Sequence, residues 1–388
     1  MNSVAMATLA PLLRERRIIV CVGSGGVGKT TTAATLALGA ARAGRRTLVL
    51  TIDPARRLAN SLGLEGLGHD QREVPRATLE QGGAVAEGGA LFAMMLDQKR
   101  SFDELVARNA KDPKTRDRIF ANPLYKQISS TLAGSHEYAA MSKLYEIQAE
   151  GGFDLIVLDT PPTANALDFL DAPERLSAAI DSPAIEWLTK PHEKAGTFSL
   201  KAVGMGAAFV LGRLAKFVGS GFLEEMSRFL IEFNQILGGF KERAQKVYDV
   251  LRAPDVAFVL VSSAESMSID EALYFLERLN AAKLPLGGFV VNRVHPGRPP
   301  LPPFTRDKLV ARLTARSELK GLQPDDVVQL AADLERTHRE LDTLAQVDHA
   351  QVERLRARTT ATIVEIPLFE EDVYDLPALG RLLAYLAA

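Results

Sequence analysis

The sequence predicts an α/β protein: a mainly parallel sheet flanked by helices, with an inserted α-helical subdomain. Three observations predict it. Short apolar runs recur along the chain, and most of them stop at a polar residue or a turn former. Helical stretches separate these runs. Two of those stretches, from about Ser101 to Glu150 and from about Ala172 to Leu251, are long and contain nothing that reads as sheet.

The elements follow in order. Ile18 to Val22 is a β-branched run that stops at Gly23, and Thr30 to Ala43, rich in Ala, Leu and Thr, reads as a helix. Thr47 to Ile52 is a second run ending at Asp53, and Leu91 to Leu96 is a third. Leu155 to Leu158 ends at Asp159, Val256 to Val261 at Ser262 and Ser263, Phe289 to Val291 at Asn292, and Ile363 to Ile366 at Pro367. Continuous apolar runs of this length, alternating with helices, fit parallel strands buried on both faces. Ligands bind such sheets at the carboxyl ends of the strands, where the polar residues collect. Pro296 to Pro303 reads as a loop, and Arg306 to Arg358 as charged surface helices with ion pairs at helical spacing. The expected organisation is a core formed by 1–97, 153–170 and 252–388, with the helical subdomain at 98–150 and 172–251.

Composition narrows the function classes. The 388 residues are 47% hydrophobic, enough for a large core. A net charge of −2 without any basic arm gives no support for nucleic-acid binding. Cys21 is the one cysteine, which excludes an intrachain disulfide and a Cys-x-x-Cys metal site and fits a reducing cytoplasm. The N-terminus has the wrong charge order for a secretory signal. The central uncharged stretch, Ala202 to Gly212, falls well short of the ~20 residues that cross a bilayer, so no transmembrane segment is expected.

The most specific chemistry lies between the first run and the first helix. Gly23-Ser24-Gly25-Gly26-Val27-Gly28-Lys29-Thr30 fits G-x-x-x-x-G-K-[ST], the phosphate loop of a P-loop NTPase. Its glycines let backbone N–H groups close around phosphate oxygens, and the following helix N-terminus favours anions. Lys29 is placed to reach the β- and γ-phosphates, and the Thr30 hydroxyl to bind Mg²⁺. Asp159, at a strand tip, suits the Mg²⁺ shell through water; an ordinary strand cap is its alternative. Asp53 suits metal or attacking water near the γ-phosphate, or else an N-cap for a helix after Pro54; spacing alone leaves both open. GTPases carry Asn-Lys-x-Asp at the base-binding strand end. Here Asn292-Arg293-Val294 lacks the Asp, and an Asn amide can pair with adenine's edge, which favours ATP.

These motifs, in this order and spanning nearly the whole chain, resemble the ArsA family of deviant-P-loop ATPases. That family includes the ATPase subunit of arsenite pumps and the factor that targets tail-anchored membrane proteins. The matches are Gly23 to Thr31, switch I at Asp53-Pro54-Ala55, an approximate switch II at Asp159-Thr160-Pro161-Pro162-Thr163-Ala164, Asn292 for adenine, and a C-terminal adenine loop at Ile366-Pro367-Leu368-Phe369. The resemblance implies ATP and Mg²⁺ as cofactors and Asp53 as the water-activating carboxylate. It also implies Asp159 in the metal-sensing switch, and a nucleotide-gated dimer. Two departures stand out. The family's signature lysine, second in the loop, is Ser24, so a homodimer lacks that trans contact unless Arg56, Arg57 or a lysine-bearing paralogue in a heterodimer supplies it. The family's Cys pair is also absent, which removes a thiolate arsenite site and a zinc-clamped dimer.

Family members that bind membrane-protein segments do so in an apolar groove of the helical insertion. Phe222, Met226, Phe229 and Phe233, continuing to Leu237 and Phe240, recur at helical spacing, preceded by Met205 and Phe209 among glycines. This stripe is either a groove for an apolar client or core buried against a neighbouring helix. The leading expectation is a cytoplasmic ATPase that hands over an apolar client. The alternatives are a MinD/ParA-like spatial organiser and a nucleotide-binding regulatory subunit. A MinD-type membrane helix would have to be Leu376 to Leu386, which is nearly uncharged and is expected to cover the sheet instead.

Overall fold

The structure is a computed structural model that describes residues 8–53, 57–123, 125, 135–160, 242–243, 245–297, 306–319 and 321–387. Its centre is an eight-stranded sheet. In chain order the elements are α1 (Ala10–Glu15), β1 (Ile18–Val22), α2 (Lys29–Arg42), β2 (Arg46–Thr51), α3 (Arg57–Ser61), β3 (Arg72–Glu73), α4 (Arg76–Leu79) and β4 (Ala90–Met95). There follow α5 (Gln98–Asn109), α6 (Pro113–Ala121), α7 (Ser135–Glu150), β5 (Leu155–Asp159), β6 (Val256–Ser263), α8 (Ser266–Ala281), β7 (Leu286–Val294), α9 (Arg306–Thr314), α10 (Pro324–Arg356), β8 (Ile363–Pro367) and α11 (Leu376–Ala387).

The strand order is β3-β4-β2-β5-β1-β6-β7-β8, parallel throughout except for the antiparallel pair β3–β4. The expected mainly parallel sheet is therefore present. Every apolar run became a strand with ends within a few residues of expectation; the largest change is β7, which starts at Leu286 rather than Phe289. The edge strand β3 had no signal, because two exposed residues, Arg72 and Glu73, carry no periodicity.

Alternation along β1 splits the core into two layers. Ile18, Val20 and Val22 face one side; Ile19 and Cys21 face the other. The first side is covered by α7, α8 and the last turns of α10, through residues such as Met141, Leu144, Phe275, Val352 and Leu355. The helical turns at 245–251 add Val247 and Leu251 to the same layer. The second side is covered by α1, α2 and α11. Helix α2 is buried nearly all round, and its alanines let it lie close to the sheet on one side and to α11 on the other. Helix α11 buries Leu376, Leu379, Leu382, Leu383 and Leu386, so this segment covers the core as expected.

Helix α10 runs for 33 residues, about 50 Å, beginning with Pro324 and a capping box between Gln323 and Asp326. Its ion pairs have helical spacing, Arg336 with Asp333 and Glu340, and Arg306 of α9 reaches Glu335. On the other flank, α5 and α7 are joined by a ladder of charges. Glu104 accepts from Lys143, Lys143 also pairs with Glu146, and Glu146 meets Arg108. No helix among the described residues is long and apolar enough to cross a membrane.

Candidate functional site

The site forms where β1, β2 and β5 end side by side. Register pairs Cys21 with Asp159 and Thr51 with Asp159, so the tip of β5 lies between the tips of the other two strands. The turn that leaves β1 is built from glycines for a steric reason. Gly23, Gly26 and Gly28 have φ of 155°, 77° and 98°. A Cβ on Gly23 would lie 2.0 Å from the carbonyl oxygen of Val261, and one on Gly28 would lie 2.4 Å from Nδ2 of Asn292. The turn is thus wedged between β6 and β7, and α2 begins directly at Lys29 with Gly28 as a left-handed N-cap.

Lys29 is buried, and its Nζ donates to the carbonyl oxygen of Ser24 at 2.7 Å, spanning the turn. Burial lowers the Lys29 pKa; the Asp159 and Asp53 charges oppose this, and the Arg57 charge adds to it. Thr30 Oγ1 donates to Asp159 Oδ2 at 2.8 Å, and Thr51 Oγ1 donates to the same oxygen at 2.9 Å. The other oxygen, Oδ1, is buried and has no partner among the described residues. Burial pushes Asp159 up to about 6, while the two threonine hydrogen bonds and the Lys29 charge pull it down and Asp53 raises it further. Thr160 Oγ1 donates to the Cys21 carbonyl at 2.8 Å and closes the seam between β1 and β5. Cys21 itself is a buried thiol whose pKa is raised, first by burial and then by the Asp159 charge.

Asp53 lies two residues beyond the end of β2, and its N–H donates to Thr51 Oγ1 at 3.2 Å. Pro54, Ala55 and Arg56 lie outside the described residues, as do Pro161 to Ala164 of the expected switch II. Asn292, on β7, donates from Nδ2 to the Val27 carbonyl at 2.9 Å and accepts the Arg293 N–H on Oδ1 at 3.0 Å. Asn292 therefore braces the glycine turn. Arg293 is held at φ 60°, a left-handed conformation stabilised by that Asn292 bond. Pro367 pairs with Val294 across β7–β8, and the Leu368 N–H donates to the Val294 carbonyl at 2.9 Å. Leu368 is left exposed beside Asn292's strand, while Phe369 stacks edge-on against Tyr385.

The structure thus brings together Gly23, Ser24, Gly25, Gly26, Val27, Gly28, Lys29, Thr30 and Thr31 with Asp53, Asp159 and Asn292, and it sets Pro367 to Phe369 one strand beyond. The stripe of Met205, Phe209, Phe222, Met226, Phe229 and Phe233 lies outside the described residues. Thr51 had escaped sequence reasoning, and Thr160 had entered it only as a member of the switch II match. The signal for Thr51 was present as a polar residue at the tip of an otherwise Leu/Val strand, two places before Asp53.

A hydroxyl and two carboxylates are hard oxygen donors, the set Mg²⁺ prefers. Among the described residues no cluster of three or more His, Cys, Asp and Glu could hold a metal. The partnerless Oδ1 of Asp159 is the buried polar atom that a metal-bound water would satisfy, so the residues fit a Mg²⁺ held jointly by protein and phosphates rather than by a protein cage.

Comparison with known proteins points the same way. A model of the ArsA_ATPase family, described as anion-transporting ATPase, matches residues 16–309. A putative arsenical pump-driving ATPase of Halobacterium salinarum is 31% identical over 177 residues, 44% of this chain and 26% of that protein's length. An ATPase get3 of Aspergillus terreus is 25% identical over 280 residues, 72% of this chain and 73% of the relative. One from Schizosaccharomyces pombe is 24% identical over 299 residues, covering 74% and 77%. The match to the Halobacterium protein therefore spans about a quarter of that relative, and the matches to the two get3 proteins span about three quarters of theirs.

Proposed function

The chain belongs to the ArsA family of anion-transporting ATPases, and from that membership we propose that it is a cytoplasmic, dimeric switch ATPase that hydrolyses Mg-ATP and couples the cycle to binding of apolar membrane-protein segments. The observation that carries the hydrolytic part is the convergence of Thr30 and Thr51 on one buried carboxylate, Asp159, at the mouth of a glycine turn whose Lys29 is near enough for its charge to act on that acid.

In this reading the N–H groups of Gly23 to Thr31 wrap the triphosphate, and Lys29 leaves the Ser24 carbonyl to meet the β- and γ-phosphate oxygens. Thr30, Asp159 and Asp53 would hold Mg²⁺, which supplies charge neutralisation on the β- and γ-oxygens. Asp53 orients the attacking water and accepts its proton. Asn292 keeps donor and acceptor capacity beyond its two bonds, since the amide has two N–H groups and its oxygen two lone pairs, and with Pro367, Leu368 and Phe369 it faces adenine. Loss of the γ-phosphate releases the Asp53 segment, and the helical layer responds through α7, whose Met141, Leu144 and Ile147 pack in the same core layer as Ile156 and Leu158 of β5.

Ser24 carries no charge for a partner's nucleotide. Arg57 is close enough for its charge to bear on Lys29, and it offers a cation in the same neighbourhood. A heterodimer with a lysine-bearing paralogue is the other source. The test is ATP turnover of wild type and Lys29→Ala, with crosslinking in cells to identify the bound partner. Turnover that survives Lys29→Ala would remove the assignment of this turn as the active site. Recovery of apolar segments supports the client reading, and recovery of a polar scaffold points to a spatial organiser.

A further inference from the structure

Thr51 is the last residue of β2 and is 1% exposed. Every other residue from Leu48 to Ile52 is apolar, and a valine would fill the same volume. The hydroxyl is nevertheless used twice: it donates to Asp159 Oδ2 at 2.9 Å and accepts from the Asp53 N–H at 3.2 Å. One hydroxyl has one proton and two lone pairs, so both bonds coexist. Thr30 grips the same Oδ2 from the phosphate turn at 2.8 Å, and Oδ1 is left without a protein partner among the described residues. The carboxylate is therefore oriented from one side by two hydroxyls on different elements. Thr30 belongs to α2; Thr51 belongs to the strand that leads, after Ile52, into Asp53.

We propose that Thr51 is a positioning residue that ties the Asp159 carboxylate to the Asp53 segment, so that metal-side and water-side carboxylates respond to nucleotide as one unit. This rests on the ATPase reading of the site and adds the coupling element to it. A residue that merely filled space or satisfied a buried acid would support folding but would not make nucleotide affinity depend on magnesium.

The experiment compares wild type, Thr51→Val and Thr51→Ser, using a fluorescent ATP analogue and its ADP counterpart. Dissociation constants are measured in EDTA and across a magnesium titration. Thr51→Val is expected to bind ATP in EDTA within about twofold of wild type. Its half-saturating magnesium concentration should rise on the order of tenfold, the loss of one hydrogen bond to a charged acceptor, and its preference for ATP over ADP should shrink in parallel. Thr51→Ser, which keeps the hydroxyl, should restore both. A wild-type magnesium response in Thr51→Val, or a Thr51→Ser as impaired as Thr51→Val, overturns the inference. If Thr51→Val does not fold, Thr51→Cys takes its place with the same criteria. Wild type that binds no nucleotide, or binds without any magnesium response, overturns the site reading itself and this inference with it.

Discussion

Replacing Gly28 by Ala isolates the steric logic of the phosphate turn. Gly28 has φ 98°, and a Cβ there would stand 2.4 Å from Asn292 Nδ2, the atom that donates to the Val27 carbonyl. Two costs follow. A left-handed conformation costs a non-glycine residue about 1–2 kcal/mol. Displacing the Asn292 amide forfeits one hydrogen bond of about 1 kcal/mol. Gly28→Ala should therefore destabilise by about 2–3 kcal/mol, and Asn292→Ala alone by about 1 kcal/mol. In the double variant the clash has no partner and the hydrogen bond is lost once rather than twice. The pair should thus be less destabilised than the sum by about 1 kcal/mol. For a chain of this size each kcal/mol moves the thermal midpoint by roughly 1 °C, so Gly28→Ala falls by about 2–4 °C and the cycle shows about 1 °C of coupling. Midpoints of all four proteins, measured without nucleotide, check this. Strict additivity would refute the claim that Asn292 is what limits residue 28.

Further outcomes follow from other contacts. His69 is buried with Nδ1 accepting the Asp97 N–H, and burial lowers its pKa from 6.5, opposed by Glu104 and reinforced by Lys143 and Arg100. The unfolded chain therefore gains a proton that the folded protein resists, so stability falls as pH drops below 6.5. Glu104 adds to this further down: burial raises its pKa, but the Lys143 and His69 charges hold the net value below 4.5, so its stabilisation is lost as pH falls through that lower value. Thermal midpoints should decline from pH 6.5 downward, and His69→Asn should flatten the upper part of that slope; a slope unchanged by His69→Asn would contradict the assignment. Gly380→Ala, in the interior of α11, should destabilise. The helix gains about 1 kcal/mol from alanine, but the new Cβ would lie 2.4 Å from the Gly82 carbonyl, an overpacking cost of about 1–3 kcal/mol; a raised midpoint refutes it. Ser24→Lys leaves the Ser24 carbonyl that receives Lys29 in place and supplies the missing cation. In an Asp53→Asn background, sedimentation with Mg-ATP should show a dimer tightened at least tenfold, and an unchanged constant refutes the trans-contact account.

Legibility in the sequence followed burial and local pattern. Strands β1, β2, β5 and β6 are buried on both faces, so each is a continuous apolar run that ends where the chain meets the ligand side. The glycine turn was legible because left-handed backbone and close approach to β6 and β7 demand the same residue type as the phosphate-loop pattern that was sought there. Asn292 was legible as a polar strand end, but its bond to Val27 was not: it joins positions 265 residues apart, and no local pattern encodes such a meeting. The same holds for Thr51. A threonine at a strand tip reads as ordinary β propensity until strand order sets it beside Asp159, 108 residues away. Strand β3 was illegible for the opposite reason, since two exposed charged residues owe their strand geometry entirely to the β4 edge they meet.

Strand order then explains why the chemistry is located where it is. β5 lies between β1 and β2, although the chain visits β1, β2, β3 and β4 before it. Had β2 paired directly with β1, Thr51 and Asp53 would flank the glycine turn with no carboxylate between them. Inserting β5 places Asp159 against Cys21 on one side and Thr51 on the other, within reach of hydroxyls from both α2 and β2. Burial at that central position pushes the carboxylate up to about 6, so the protein alone holds its charged form at a cost. In the proposed reading a cation delivered with the nucleotide would offset that cost, and a preference for a metal-bound state would come from the position of β5 rather than from a cluster of ligands. Helix α7 is joined to the start of β5 by the loop 151–154, with Gly151 and Gly152 at positive φ, and its Lys143 and Glu146 tie it to α5. Asp159 is at the far end of β5, so the route from that tip to the helical layer is side packing: Met141, Leu144 and Ile147 share one core layer with Ile156 and Leu158.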